Sequence, residues 1–221
     1  MYLKSQMSLI TKAHCSSKHM SELIYYVDTN DQPTGETQEK YAAHNAHTKL
    51  HAAFSCYIFN DKGQFLVTQR AFSKKVWPGV WTNSCCGHPA PGESRTDAIT
   101  RRLQQELGMT AKNLQLVLPD YTYITPSYNG IIEYEFCPVY VALATSIPKL
   151  NPNEVEAYFW MDWQDYVSVC EADGDSDAAS RDWMSKLPTG ESRKHGIWSW
   201  WCKDQLKLLK DNELLANYLK I

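Results

Sequence analysis

Four things are scarce in this chain of 221 residues, and each scarcity excludes a class of protein. No apolar run approaches the roughly 20 residues that a membrane-crossing helix needs, so no membrane partner is expected. Basic charge is not in excess: 22 Lys and Arg face 25 Asp and Glu, which leaves no field for nucleic acid. The first twenty residues hold no arginine, no continuous apolar stretch and no small-residue cleavage site, so they read as neither a transit peptide nor a secretory signal. Residues 1–20 are expected to be a loosely ordered extension. Cysteine pairs at metal or redox spacing are also missing. The seven cysteines (Cys15, Cys56, Cys85, Cys86, Cys137, Cys170 and Cys202) are odd in number and scattered. That pattern argues against a disulfide framework and for a reducing, cytoplasmic setting.

What is present is apolar and aromatic. With 43% hydrophobic and 12% aromatic residues, eight of them tryptophan, the chain can bury a substantial core. No internal repeat or low-complexity linker divides it, so residues 21–221 read as one domain. Strands are expected at 22–28, 52–60 and 64–70, the last two joined by the hairpin turn Asp61–Gly63. Residues 29–36 carry turn chemistry, and 71–94, with prolines at 78, 89 and 91, read as a long irregular loop. Ser94 followed by Asp97 is a capping-box-like start for a helix that Gly108 would stop. Further strands are expected at 113–124, 130–144 and 154–161, then a short helix at 162–171, an acidic surface loop at 171–177 and a C-terminal helix over 197–221. Strands before and after one central helix predict an α+β sandwich of mixed or antiparallel sheets.

Within the long loop, "TNSCCGHPAPGES" sets Cys85 and Cys86 just ahead of His88. Buried cysteine is often plain packing, and adjacent cysteines make a poor disulfide. A histidine two residues on would favour a thiolate, which is a competent base. Glu133 and Glu135, at i and i+2, would share one face of a strand, either as a solvated face or as like charges held by a cation or proton. With His44, His51 and His88 they make a plausible ligand set for zinc, manganese, iron, copper or magnesium, although any single histidine is more often structural.

Residues 87–109, "GHPAPGESRTDAITRRLQQELGM", resemble the Nudix box: Gly87, Glu93, Arg101, Leu103, Glu106 and Gly108 fall in register. Arg102 and Gln105 stand where the box has glutamate. Loss of two carboxylates disfavours multi-metal hydrolysis, leaving Glu106 to hold one Mg2+ shared with a diphosphate. Over about residues 23–205, with "WPGVWTNSCCGHP" and "EYEFCP" the most specific parts, the chain resembles the type 1 isopentenyl-diphosphate delta-isomerases, a Nudix branch. That resemblance implies interconversion of isopentenyl and dimethylallyl diphosphate through a tertiary carbocation. It implies Cys86 as the thiol on one face of the substrate, Glu135 as the acid on the other, and Tyr123 passing the proton. His44, His51, His88, Glu133 and Glu135 would hold one divalent metal (Mn2+, Zn2+ or Mg2+), with Glu135 both ligand and acid. Glu106 and the main-chain carbonyl of Cys86 would hold Mg2+ on the diphosphate. Lys40, Arg70 and Lys74, joined by Arg102, would contact the phosphates, and Trp200 would face the cation. Cys85 would be packing. The partner is a small prenyl diphosphate, and a monomer is expected. A pyrophosphohydrolase and an inactive metal-binding scaffold are the competing readings.

Overall fold

The computed structural model describes residues 22–173 and 197–219. The expected extension at 1–20 and most of the acidic loop lie outside the described residues. Strand β1 (Leu23–Val27) pairs antiparallel with β2 (Pro33–Glu39). The expected turn is confined to 28–32, where the Asp28 carboxylate accepts from the amides of Asn30 and Gln32 at 2.8 and 2.9 Å. Pro33 instead opens an exposed edge strand, where a missing N–H costs no ladder bond. Helix α1 (Lys40–Ala43) leads to β3 (His51–Ala52), β4 (Phe54–Phe59) and β5 (Gln64–Arg70).

The stretch expected to be irregular holds two short strands, β6 (Trp81–Thr82) on β5 and β7 (Cys85–Gly87) on β4. Helix α2 (Arg95–Leu107) follows. The Ser94 hydroxyl caps the helix by accepting from the Asp97 amide at 3.1 Å, and donates to the Asp97 carboxylate at 2.7 Å. Gly108 closes the helix in the left-handed region at φ 53°, where an added Cβ would meet the Lys149 carbonyl at 3.0 Å.

Proline sets the next breaks. The run 113–124, expected as one strand, divides around Pro119 into β8 (Ala111–Leu118) and β9 (Thr122–Ile124). Pro138, which has no N–H to give, divides 130–144 into β10 (Tyr134–Phe136) and β11 (Val139–Ala144). Strand β12 (Val155–Asp162) and helix α3 (Trp163–Asp173) come next. The expected C-terminal helix is two, α4 (Trp200–Leu209) and α5 (Glu213–Leu219), because the Asn212 side chain caps the second by accepting from Leu214 and Leu215 at 3.0 and 3.2 Å.

Two sheets result: β2-β1-β3-β10-β9, and β12-β5-β4-β11-β8 with β6 and β7 appended. Two neighbouring chain segments run parallel from the first sheet into the second, β3 into β4 and β10 into β11. Ala53 donates to the Phe136 carbonyl at 2.9 Å and Ser55 to that of Pro138 at 3.1 Å, so the segments stay joined across the step. The architecture is α+β with mixed sheets, as expected.

Every residue of β4 is buried, because both of its faces are covered. Phe54, Cys56 and Ile58 pack with Ile99, Leu103 and Leu107 of α2. Tyr57 and Phe59 belong to the cluster of Trp163, Tyr166, Trp201 and Leu206 from the later helices. Alternation along a strand sends successive side chains to opposite sides, and this decides the fate of the two adjacent cysteines. On β7, Cys85 sits opposite Cys56 and joins the α2 cluster, whereas Cys86 sits opposite Ser55 and packs against the other one.

Candidate active site

A cavity of about 330 Å3 is lined by residues of both sheets. Its first end is built by strand register. Glu135 on β10 is paired with Tyr123 of β9 on one side and with His51 of β3 on the other. The Tyr123 hydroxyl donates to Glu135 Oε2 at 2.8 Å. His88, just past β7, places Nε2 2.9 Å from Glu135 Oε1 and 3.2 Å from His51 Nε2. His44, the C-terminal cap of α1, completes the group. One ligand atom from each of His44, His51, His88 and Glu135 lies within 4.8 Å of the others.

The donors fit a divalent cation. His44 Nδ1 is 2.6 Å from the Lys40 carbonyl and His51 Nδ1 2.9 Å from that of Lys49. Each N–H is committed there, so each Nε2 turns a lone pair inward, the usual outer-shell arrangement of a ligating histidine. The buried Nδ1 of His88 has no hydrogen-bond partner among the described residues. Burial lowers the His44 imidazole, and takes His88 to about 3 despite the pull of Glu135. Burial alone would raise the Glu135 carboxyl, but the neighbouring His51 and His88 rings hold it well below the usual range. Neutral imidazoles beside an ionised carboxylate are the protonation states that metal binding needs.

Glu133 stands beside the four-donor group. It faces the same cavity, yet the coordinating group contains Glu135 without it. It lies ahead of β10, before ladder pairing begins, and burial followed by repulsion from Glu135 raises its carboxyl to about 7.

Cys86 lacks the imidazolium neighbour that would favour a thiolate: His88 contacts Glu135, not the sulfur. Burial, then the charge of Glu106, pushes the Cys86 thiol up to about 12. Its S–H donates to Asn83 Oδ1 at 2.9 Å. Cys85 also reaches the cavity wall, but its side chain belongs to the α2 cluster and burial raises it well above the thiol range.

The other end is charged. Arg102 Nε donates to Glu106 at 2.8 Å and its terminal nitrogen to Glu154 at 3.0 Å. Lys74 also pairs with Glu154, and Lys40 with Glu22 at 2.9 Å. Gly87 permits the close approach: a Cβ there would press on the Arg102 side chain at 3.3 Å. Arg70 donates to the carbonyls of Val76 and Trp77 at 3.0 and 3.2 Å, holding the loop above it. Arg101 grips Glu93 with two 2.7 Å bonds and the His88 carbonyl at 3.1 Å, which ties the histidine loop to α2. Glu106 lies at this charged end, bound to Arg102, and is not part of the imidazole group.

The two neighbouring tryptophans are placed differently. Trp201 is buried, lines the cavity and has the Arg70 guanidinium 5.8 Å from its ring centre. Trp200, one residue earlier, turns out of the cavity and is 37% exposed, its ring 6.1 Å from that of Tyr123. The helical step of about 100° per residue separates them, and the register could not be read from three neighbouring tryptophans. Sequence reasoning also missed Glu22 and Glu154, which are remote from any motif. It missed Asn83 too, although Asn83 stands within the quoted "TNSCCG".

A family model described as the NUDIX domain matches residues 49–187, so the fold is that of a Nudix-class protein. The isopentenyl-diphosphate Delta-isomerase of Salmonella typhi is 49% identical over 152 residues, 67% of this chain and 83% of that protein. That of Saccharopolyspora erythraea is 48% identical over 145 residues, 66% of this chain and 74% of its own length. The chain belongs to the Nudix family and, within it, to the isopentenyl-diphosphate Delta-isomerases. Among solved structures, a Deinococcus radiodurans protein aligns with a TM-score of 0.51 at 19% identity, over 68% of this chain and 90% of that one, a likeness of fold alone.

Proposed function

We propose that this chain interconverts isopentenyl and dimethylallyl diphosphate, a step of isoprenoid biosynthesis, with Cys86 and Glu135 exchanging the protons. The observation that carries the reading is that these two groups reach one cavity from different sheets, beside a cluster of basic side chains. An isolated alkene has no carbonyl to polarise, so a proton must be added at its terminal carbon and another removed from the allylic carbon. One side of the site gives and the other takes, and the roles exchange in the reverse direction. The Tyr123 hydroxyl, hydrogen-bonded to Glu135, passes the proton on that side. Nothing is gained or lost overall.

His44, His51, His88 and Glu135, with Glu133 beside them, would hold Mn2+, Zn2+ or Mg2+; Glu106 and the Cys86 carbonyl would share Mg2+ with the diphosphate. A divalent ion at the imidazole end would lower the pKa of a proton donor attached to it. Lys40, Arg70, Lys74 and Arg102 bind the diphosphate by charge. Buried rings, Trp201 among them, keep water from a cationic centre and attract it by about 2 kcal/mol. We infer a monomer, and the free thiols of Cys56, Cys86 and Cys137 suit the reducing cytoplasm.

Proton NMR of the metal-loaded protein with isopentenyl diphosphate in deuterated buffer tests this. Dimethylallyl diphosphate carrying deuterium, with no free phosphate, is expected. Release of phosphate or pyrophosphate would instead mean hydrolysis at the altered Nudix box.

A further inference from the structure

The structure assigns Asn83 a role that no sequence motif announced: it is the positioning residue that aims the Cys86 thiol within the cavity. The inference rests on the isomerase reading and adds to it the group that orients one of its two proton-exchanging side chains. Asn83 is fully buried. Its amide nitrogen donates to the main-chain carbonyls of Cys56 at 3.2 Å and Cys85 at 3.1 Å. Exchanging oxygen and nitrogen would set oxygen against two carbonyl oxygens, so the amide has one orientation only. Oδ1 therefore points at Cys86, and the 2.9 Å contact has the sulfur as donor.

The remaining hydrogen bonds run in one direction to the same atom. The Cys202 backbone N–H, which can only donate, gives to the Ser199 hydroxyl at 3.3 Å. Ser199 then donates to the Thr82 hydroxyl at 2.9 Å, and Thr82 to Asn83 Oδ1 at 2.9 Å. Ser199 is the N-cap of α4, and Ile197 and Ser199 itself are stitched to β6 by main-chain bonds of 2.9 and 2.7 Å with Trp81. A second arm leaves the same helix: Gln205 donates to the Ser55 hydroxyl at 2.8 Å, which in turn approaches the Cys86 sulfur at 3.9 Å. Thus α4 supplies Trp201 to the cavity wall and, through two buried chains, sets the acceptor and the neighbour of the thiol.

A thiol has three staggered positions about its Cα–Cβ bond and a freely turning S–H. A fixed acceptor selects one arrangement before substrate arrives, which removes a search from the reaction. Without Oδ1 the sulfur is no longer aimed, while the basic groups that hold the diphosphate are untouched. The expected signature is therefore a loss in kcat with little change in KM.

The test has a kinetic and a spectroscopic arm. Asn83→Ala is expected to lower kcat about 100-fold, the scale of a misplaced reacting group, with KM for isopentenyl diphosphate changed less than threefold. Because the alanine also strands two carbonyls, the second arm uses the unaltered protein: the S–H stretching band of Cys86, isolated as the infrared difference from Cys86→Ala. A band displaced from that of a free thiol is expected. A free-thiol band, or wild-type kcat in a folded Asn83→Ala protein, would overturn the positioning role. The isomerase reading fails separately, by retention of turnover in Cys86→Ala.

Discussion

At the first end of the cavity, three imidazoles and a carboxylate face one another, with the His51 and His88 nitrogens 3.2 Å apart. At the other, Arg102 touches Glu106 and Glu154, Lys74 touches Glu154, and Lys40 touches Glu22. The first end is a set of electron-pair donors suited to a positive charge. The second neutralises itself, keeping its cations on carboxylates that a diphosphate can displace. Burial acts on both: ion pairs offset it at the second, and the contacts between Glu135 and the imidazoles offset it at the first. Chemistry that needs an ion and chemistry that needs an anion are thus kept in one cavity without either being left a bare buried charge.

Removing the carboxylate that joins imidazoles to Tyr123 is expected to break the contrast most severely. Glu135→Gln should lower kcat by roughly 1,000-fold or more, since it removes both a proton carrier and a ligand. Steady-state kinetics should show Lys74→Ala raising KM instead; equal effects on kcat from both would mean the two ends are not functionally distinct. Arg102→Met leaves Glu106 and Glu154 without their main partner, and urea denaturation should register a loss of about 3–5 kcal/mol. His88→Ala, by contrast, should abolish the extra thermal stability that added divalent metal confers on the parent protein, with a much smaller loss in metal-free buffer.

A smaller effect separates the tryptophans. Trp201→Ala should cost about 2 kcal/mol in kcat/KM, roughly thirtyfold, while Trp200→Ala stays within a few-fold. The reverse order would restore the register read from the sequence. The smallest effect is a pH slope. Burial alone would raise the Glu22 carboxyl, but Lys40 and Arg102 bring it down to about 2. A carboxyl depressed in the folded state adds stability that is complete above its ordinary value of 4.5 and lost as pH falls toward 2. Glu22→Gln should therefore flatten the acid limb of the stability curve in that window, lowering stability above it, pH 7 included, and leaving it unchanged below it.

Legibility followed locality. Helix α2 was readable because its cap, its box residues and its stop lie within about fifteen positions and depend on neighbours in the chain. Strand β2 was misread as turn because Pro33 and Gly35 carry turn chemistry, and only pairing with β1 makes that stretch a strand. The strands β6 and β7 had no periodicity of their own; they exist because β5 and β4 offer them partners. Of the site, Cys86, His44, His51, His88 and Glu135 were visible through motif resemblance, whereas Glu154 and Trp201 acquire meaning only through residues far away in sequence.

By itself, then, the sequence determined the family, the central helix, the breaks available at proline, and the chemical kinds of group on hand: thiol, imidazole, carboxylate, guanidinium. Those follow from residue type and short spacing, which local physics reads directly. The tertiary structure decided which of two adjacent cysteines faces the cavity, which glutamate joins the imidazoles, which tryptophan lines the wall, and that Cys86 rests as a thiol. Each of these turns on strand register, helix phase or burial, quantities set when distant segments pack and not by any one of them alone.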